Sequence, residues 1–336
     1  MRTTLRFIFA LLTFANVAKA QDIHFSQFAV APLVYNPANA GMFDGDVRFI
    51  GNQRTQWRSV TLPYSTVGGS VDFNNAFQQD GLGAGLGIYQ DRAGDSRLNT
   101  LALNAAGSYR IATSSDSLHR FRLGLQIGFV HRKIDYSDLR YDSQWNGMQY
   151  VSSADPGEQF ARDARFYLNT GLGFGWEYRI NRRKEIQAGI ALHNANSPKQ
   201  SFFDDPSINL DLRVSFSGWG TWELNEDWDA IGGLLLSRQG TYTEFIPSVG
   251  GRYILNDTQG LFRTLFAFAA YRTRDAGFLT VGMDYDQWRG AVSYDFNTSN
   301  LRPASNGRGG FELSLVYILR RFTPPVSNRS LCPDYL

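Results

Sequence analysis

Cysteine occurs once in 336 residues, at Cys332, so no intrachain disulfide framework holds this chain together. Histidine is nearly as scarce: His24, His119, His131 and His193 stand at no spacing that suits a bound metal. No G-x-S-x-G, phosphate-binding loop or paired-cysteine motif is present, and no cofactor or enzymatic activity is expected. His131, near the end of its strand beside a serine-containing loop, is the single candidate base for a barrel hydrolase; a rim histidine in polar surroundings is the plainer reading. Asp204 and Asp205 lack the ligand spacing of a calcium loop and read as solvated loop acids.

An excess of charge is missing as well. The 33 basic and 31 acidic residues nearly balance, and removal of Arg2, Arg6 and Lys19 with a leader would leave 30 against 31. A chain of formal charge −1 offers no electrostatic case for nucleic acid as partner. Beyond residue 20 no apolar run reaches the about 20 residues of a spanning helix. Met1 to Ala20, with Arg2 and Arg6 before the run Phe7 to Ala15 and Ala18-Lys19-Ala20 after it, reads as a secretory signal peptide. Gln21 would then be the first mature residue, which excludes a lipoprotein cysteine.

What is plentiful is aromatic residues, at 14%, on a chain that alternates apolar and polar. The clearest stretch sets Phe121, Leu123, Leu125, Ile127 and Phe129 against Arg120, Arg122, Gly124, Gln126 and Gly128. That is a period of two, hence a strand. A soluble sandwich would have to bury the two arginines, whereas a watery lumen accepts them. Glycines alternate along Leu82 to Tyr89 and suit a crowded or curved inner face. Similar alternation recurs from Asp46 to Leu319, in about 14 strands of roughly membrane-spanning length. The expected fold is all-β: a transmembrane antiparallel up-and-down barrel with a non-strand N-terminal segment at or in its periplasmic mouth.

Long connections near 133–163, 194–207 and 298–308 fall at one end, taken as the outside, and short turns at the other. Tyr109, Trp176, Tyr178, Trp222, Trp228, Tyr253, Tyr285, Trp288 and Tyr317 fall near the short-turn ends and predict an aromatic girdle at the membrane boundary. The interior arginines Arg54, Arg120, Arg122, Arg165 and Arg213 either line an anion-selective pore or pair with Asp211, Asp295, Glu177 and Glu312 in a filled lumen. Four parts follow: a signal peptide 1–20, a plug or latch 21–45, a barrel 46–322 and a periplasmic tail 323–336. Both non-strand termini are expected on the periplasmic side. Phe25, Phe28, Leu33 and Tyr35 are expected to anchor the plug in or across the mouth, with Asn36-Pro37 turning it into the first strand.

The stretch Gln21 to Phe43 carries neither a strand nor a helix period. It resembles the start of mature PorP/SprF proteins of type IX secretion. Their Q-D-x-x-F-S-Q is matched by Gln21, Asp22, Phe25, Ser26 and Gln27, and their proline followed by N-P-A-x-A-G by Pro32, Asn36, Pro37, Ala38, Ala40 and Gly41. An R-x-Q-W motif is similar to Arg54, Gln56 and Trp57, and a C-P-x-[FY] ending to Cys332, Pro333 and Tyr335, with Leu336 added here. The resemblance implies an outer-membrane barrel of Bacteroidetes-type bacteria that serves type IX secretion or gliding. Its partners would be a surface protein with a C-terminal sorting domain, components of the secretion machine and outer-membrane lipid. Residues Phe25, Phe28, Leu33, Tyr35, Asn36, Pro37, Gly41, Arg54 and Trp57 would carry the structural and partner contacts. A non-enzymatic adaptor is the leading expectation, and a pore or substrate-specific channel the alternative, since a barrel of this strand number is wide enough for one.

Overall fold

A computed structural model describes residues 22–56, 63–94, 97–136, 139–155, 157, 162–258, 261–299 and 307–320. The leader, Gln21, Trp57 and the tail 323–336 with Cys332 lie outside the described residues.

Fourteen strands form one closed antiparallel barrel. In chain order they are β1 (Val47–Gln56), β2 (Tyr64–Phe73), β3 (Leu82–Ala93), β4 (Leu98–Thr113), β5 (His119–Lys133), β6 (Ala164–Asn181) and β7 (Lys184–His193). The second half is β8 (Arg213–Glu223), β9 (Trp228–Gln239), β10 (Tyr242–Thr258), β11 (Leu261–Arg272), β12 (Ala276–Tyr285), β13 (Trp288–Asn297) and β14 (Arg308–Leu319). Each strand pairs with its sequence neighbour, and β1 closes on β14 from Val47↔Leu319 to Thr55↔Phe311. Closure leaves no edge, so every ladder group finds a partner without water.

The alternation seen in the sequence sorts the side chains as a membrane barrel requires. On β5, Leu123, Leu125, Ile127 and Phe129 are exposed on the outside while Arg122 and Gln126 are buried inside. A continuous exposed apolar belt of this extent is a membrane surface. No helix among the described residues is long and apolar enough to cross a membrane; the strands do the crossing. His131 belongs to the outward-facing set of β5, on the same face as Phe129.

The even connections are short and define a turn end, which also carries the start of β1 and the end of β14. The odd ones include 134–163, 194–212 and 298–307 and define a loop end. Tyr109, Trp222, Trp228, Tyr253, Tyr285 and Trp288 are exposed near the turn end. There the rings of Trp228 and Tyr253 lie 5.1 Å apart and those of Trp288 and Tyr317 lie 4.5 Å apart. Phe166, Tyr271, Phe296 and Phe311 form a second exposed band at the loop end, so the barrel carries two girdles where the sequence suggested one. Ile208, Leu210 and Leu212 keep a strand-like alternation with Asn209 and Asp211, yet they extend the neighbouring loop rather than begin the strand. β8 starts at Arg213, Lys199 bridges Asn209, and Leu210 turns into the interior.

The N-terminal segment departs furthest from expectation. It does not stop at the mouth where the strands begin but threads the lumen from end to end. Gly41 is held at the turn end by Asp72, while Asp22 lies at the loop end against Asn194, Arg213 and Gln239. Asp22 and Leu319 are therefore at opposite ends, which corrects the expectation that both termini share the periplasmic side. The reason is chemical. The polar head Asp22–Gln27 finds its hydrogen-bonding partners on the loop-end half of the wall. Asn36-Pro37 also sits in mid-lumen rather than at the entry to β1, which the chain reaches through residues 42–46.

Candidate functional site

The occupied lumen is the most elaborated part of the molecule. Its occupant zigzags through three short turns: a 3-10 turn Phe28–Val30, one helical turn Pro32–Tyr35 and a second 3-10 turn Pro37–Asn39. Pro32 and Pro37 each stand in the first turn of their element, where a missing N–H costs nothing. The Asn36 side chain caps the last turn, its Oδ1 accepting from the Ala38 N–H at 2.8 Å. Its Nδ2 donates to the Phe174 carbonyl of β6 at 2.9 Å, which ties the turn to the wall.

That wall is made of glycine. A Cβ on Gly124 would lie 2.5 Å from the Pro37 carbonyl carbon, and one on Gly173 would overlap Asn36 Oδ1. Gly189 would collide with Asn36 Nδ2, Gly83 with the Ala40 carbonyl and Gly85 with Leu33. The alternate glycines thus bring the backbone of the segment against the backbone of β3 to β7. Gly41 is needed twice over: its φ of +67° is left-handed, and a Cβ there would meet the Phe73 carbonyl oxygen at 2.6 Å.

The polar head docks on the opposite wall. Glu312 Oε2 accepts from the Ser26 N–H at 2.7 Å and Oε1 from the Gln27 N–H at 2.9 Å. Ser26 Oγ donates to Asp295 at 3.1 Å and accepts from Arg272 at 2.6 Å. Arg54 donates to the His24 carbonyl at 3.0 Å and pairs with Asp295 at 3.3 Å and Glu312 at 3.8 Å. Between head and glycine wall, Tyr35 closes a ten-residue loop. Its hydroxyl accepts from the Phe25 N–H at 2.9 Å and donates to the Phe25 carbonyl at 2.8 Å. Phe25, Phe28 and Tyr35 pack with Tyr89, Ile231, Leu235, Ile246 and Phe268 into one cluster. Each such burial is worth about 1.5–3 kcal/mol, so the segment is held by packing as well as by charge.

The segment that fits this seat is the one that carries the Q-D-x-x-F-S-Q and N-P-A-x-A-G motifs, and the family described as "Type IX secretion system membrane protein PorP/SprF" matches residues 17–317. The chain belongs to the PorP/SprF family. No curated protein matches it in sequence. Among solved structures it is similar to the Ralstonia pickettii toluene transporter TbuX, at 10% identity and TM-score 0.50, over 87% of this chain and 94% of that one. The Pseudomonas putida toluene transporter TodX follows at 11% identity and TM-score 0.49, over 89% and 95%. At these identities the likeness is one of fold alone.

The residues singled out in the PorP/SprF sequence come together in the lumen. Phe25, Phe28, Leu33, Tyr35 and Asn36 of the segment and Arg54 of the wall are each at most 5% exposed, so they belong to the seating contact rather than to an outer surface. Pro37 is buried with them. The choice between an anion filter and a filled lumen falls to the latter: Arg54 pairs with Asp295 and Glu312, and Arg120 with Glu177. Arg165 joins Asp204 at 2.8 Å, as does Arg162, which links the two long loops. Hydrogen bonds from Arg162 and Arg165 hold the Asp204 carboxyl below its usual range. A further cavity of about 220 Å³ opens at the turn end, and its arginines are matched too: Arg48 with Asp72, Arg182 with Asp257, Arg252 with Asp229 and Arg289 with Asp284. Sequence reasoning missed Arg272, Asp72 and the individual glycine contacts. Only the alternation of glycines hinted at the last.

Burial, with Arg54 and Arg272 close by, holds the His24 imidazole well below its ordinary value. A released segment therefore binds this proton more readily than a seated one. The contribution of neutral His24 to seating is complete well above the ordinary value of about 6.5 and is lost as pH falls through it toward the depressed value. The protection of the amides of residues 22–27 against exchange, taken relative to the intrinsic rate at each pH, is expected to fall between about pH 8 and about pH 5. In His24→Ala that pH dependence disappears.

Proposed function

We propose that this PorP/SprF protein is a closed, non-enzymatic adaptor of type IX secretion. In this reading it sits in the outer membrane with its turn end and C-terminal tail toward the periplasm. It holds a surface protein with a C-terminal sorting domain, or a component of the machine, for export or retention. The observation that carries the reading is the lumen itself, occupied from Asp22 to Phe43 by a segment fixed through buried hydrogen bonds. A conduit would have to expel that segment, whereas an adaptor needs a rigid platform.

The partner surface belongs in this reading to the long loops, beyond the membrane belt. Trp145, Met148 and Phe203 are exposed on them at 57%, 90% and 54%. Phe25, Phe28, Leu33, Tyr35, Asn36, Pro37, Gly41 and Arg54 serve the partner indirectly, by keeping the platform closed.

Deleting the protein and measuring surface display of sorting-domain clients tests the role. Loss of display of at least one client is expected, with partial loss when Trp145 and Met148 are both changed to serine in an otherwise normally abundant barrel. Unchanged display of every client in the deletion strain would refute the adaptor.

A further inference from the structure

At the loop end, above the segment, lies a partly open cavity of about 80 Å³ between β3, β4, β5, β6 and the 194–212 loop. By the same measure a water needs about 15 Å³, so the space holds roughly five waters or one small ligand in their place. Its polar lining is left unpaired at several points. Asn104 Oδ1, Gln126 Oε1 and Asn169 Oδ1 are buried acceptors with no protein donor, Arg132 Nε is a buried donor with no hydrogen-bond acceptor, and Arg213 Nε reaches only the Asp22 carboxylate, at 3.7 Å. Gln126, Arg132 and Arg213 are at most 8% exposed. Buried polar atoms are ordinarily satisfied, so these must be met by what fills the cavity, water or a ligand in its place.

Gly128 contributes to the shape. A Cβ there would overlap Asn169 Oδ1 and lie 2.5 Å from Asn104 Oδ1, so only glycine lets these two carbonyl oxygens converge. Tyr89 and Tyr167 bring two aromatic rings to the same cavity lining. The charges cancel: Asp22 and Asp91 stand against Arg132 and Arg213. An anion would meet the carboxylates, and a cation the guanidinium groups.

We infer that this cavity is a binding site for a neutral polyhydroxylated ligand, a single sugar unit. Each sugar hydroxyl both donates and accepts, which answers the unpaired carbonyls and guanidinium nitrogens together, while the ring face lies on tyrosine. The site is independent of the adaptor role, since nothing in it depends on a protein client.

The test uses the purified full-length barrel in detergent with a panel of neutral monosaccharides at millimolar concentrations, followed by titration calorimetry. Binding of at least one sugar is expected, weakened about tenfold or more in both Asn104→Ala and Asn169→Ala. Gly128→Ala should abolish it, and the thermal midpoint without sugar reports whether each variant still folds. A second arm repeats the titration with the glycan released from outer-membrane lipopolysaccharide. Tighter binding there than to free sugar names a lipid-borne source, and equal binding names a free one. Absence of binding by every sugar and glycan would overturn the inference. So would binding that the two asparagine variants leave unchanged, or preference for sulfate or a cationic amine.

Discussion

Gly124→Val opens the barrel, whereas Gly107→Val on the neighbouring strand leaves it closed. The inner glycine has the Pro37-Ala38 backbone directly over it, and a side chain there would stand 2.5 Å from the Pro37 carbonyl carbon. The outer glycine faces the membrane, and a Cβ added to it would meet nothing within 4 Å. Overpacking typically costs about 1–3 kcal/mol when neighbours can shift. Here the neighbour is main chain, already tied to β6 through Asn36, so the cost falls near about 3 kcal/mol, roughly a hundredfold in the ratio of seated to unseated segment. Steady ion conductance and proteolytic cleavage within residues 22–43 should appear in Gly124→Val alone. A closed Gly124→Val barrel would mean that the glycine wall is not what the segment rests on.

Removing the carboxylate that receives the polar head should be the most destabilising single change. In Glu312→Ala the Ser26 and Gln27 N–H groups lose their acceptor and Arg54 loses one of its two acidic partners. Breaking a buried pair from one side costs about 3–5 kcal/mol when the other charge is left alone; Arg54 keeps Asp295, so the loss falls at the low end of that range, with the two unmatched N–H groups adding to it. Glu312→Gln keeps one carbonyl oxygen and should lose less. Urea unfolding with amide exchange of residues 22–30 separates local release from global loss. Equal stability of wild type and Glu312→Ala would show that the head is held by packing alone.

Much of the barrel was legible because a membrane strand writes its two faces into alternate residues. Leu123 to Phe129 against Arg122 to Gly128 could hardly fold otherwise in lipid. Strand starts were less so: Ile208, Leu210 and Leu212 keep a period of two, yet Leu210 is drawn inward by the loop-end cavity, and local pattern cannot foresee such a contact. The course of the N-terminal segment was hidden for the same reason. Its motifs were visible, but their meaning lies in partners far along the chain, Glu312 for Ser26 and Phe174 for Asn36. Without a period to orient it, the segment gave no sign that Asp22 travels to the loop end. The alternate glycines of β3 are the one local signal, consistent with a crowded or curved inner face, and the same spacing on β5 and β6 meets the same segment.

Conductance of the purified mature barrel in a planar bilayer, compared with the same barrel lacking residues 22–43, tests the central claim most directly. A closed intact protein and a steadily conducting truncation are the expected results. A steady open pore in the intact protein would contradict the claim that the seated segment closes the lumen.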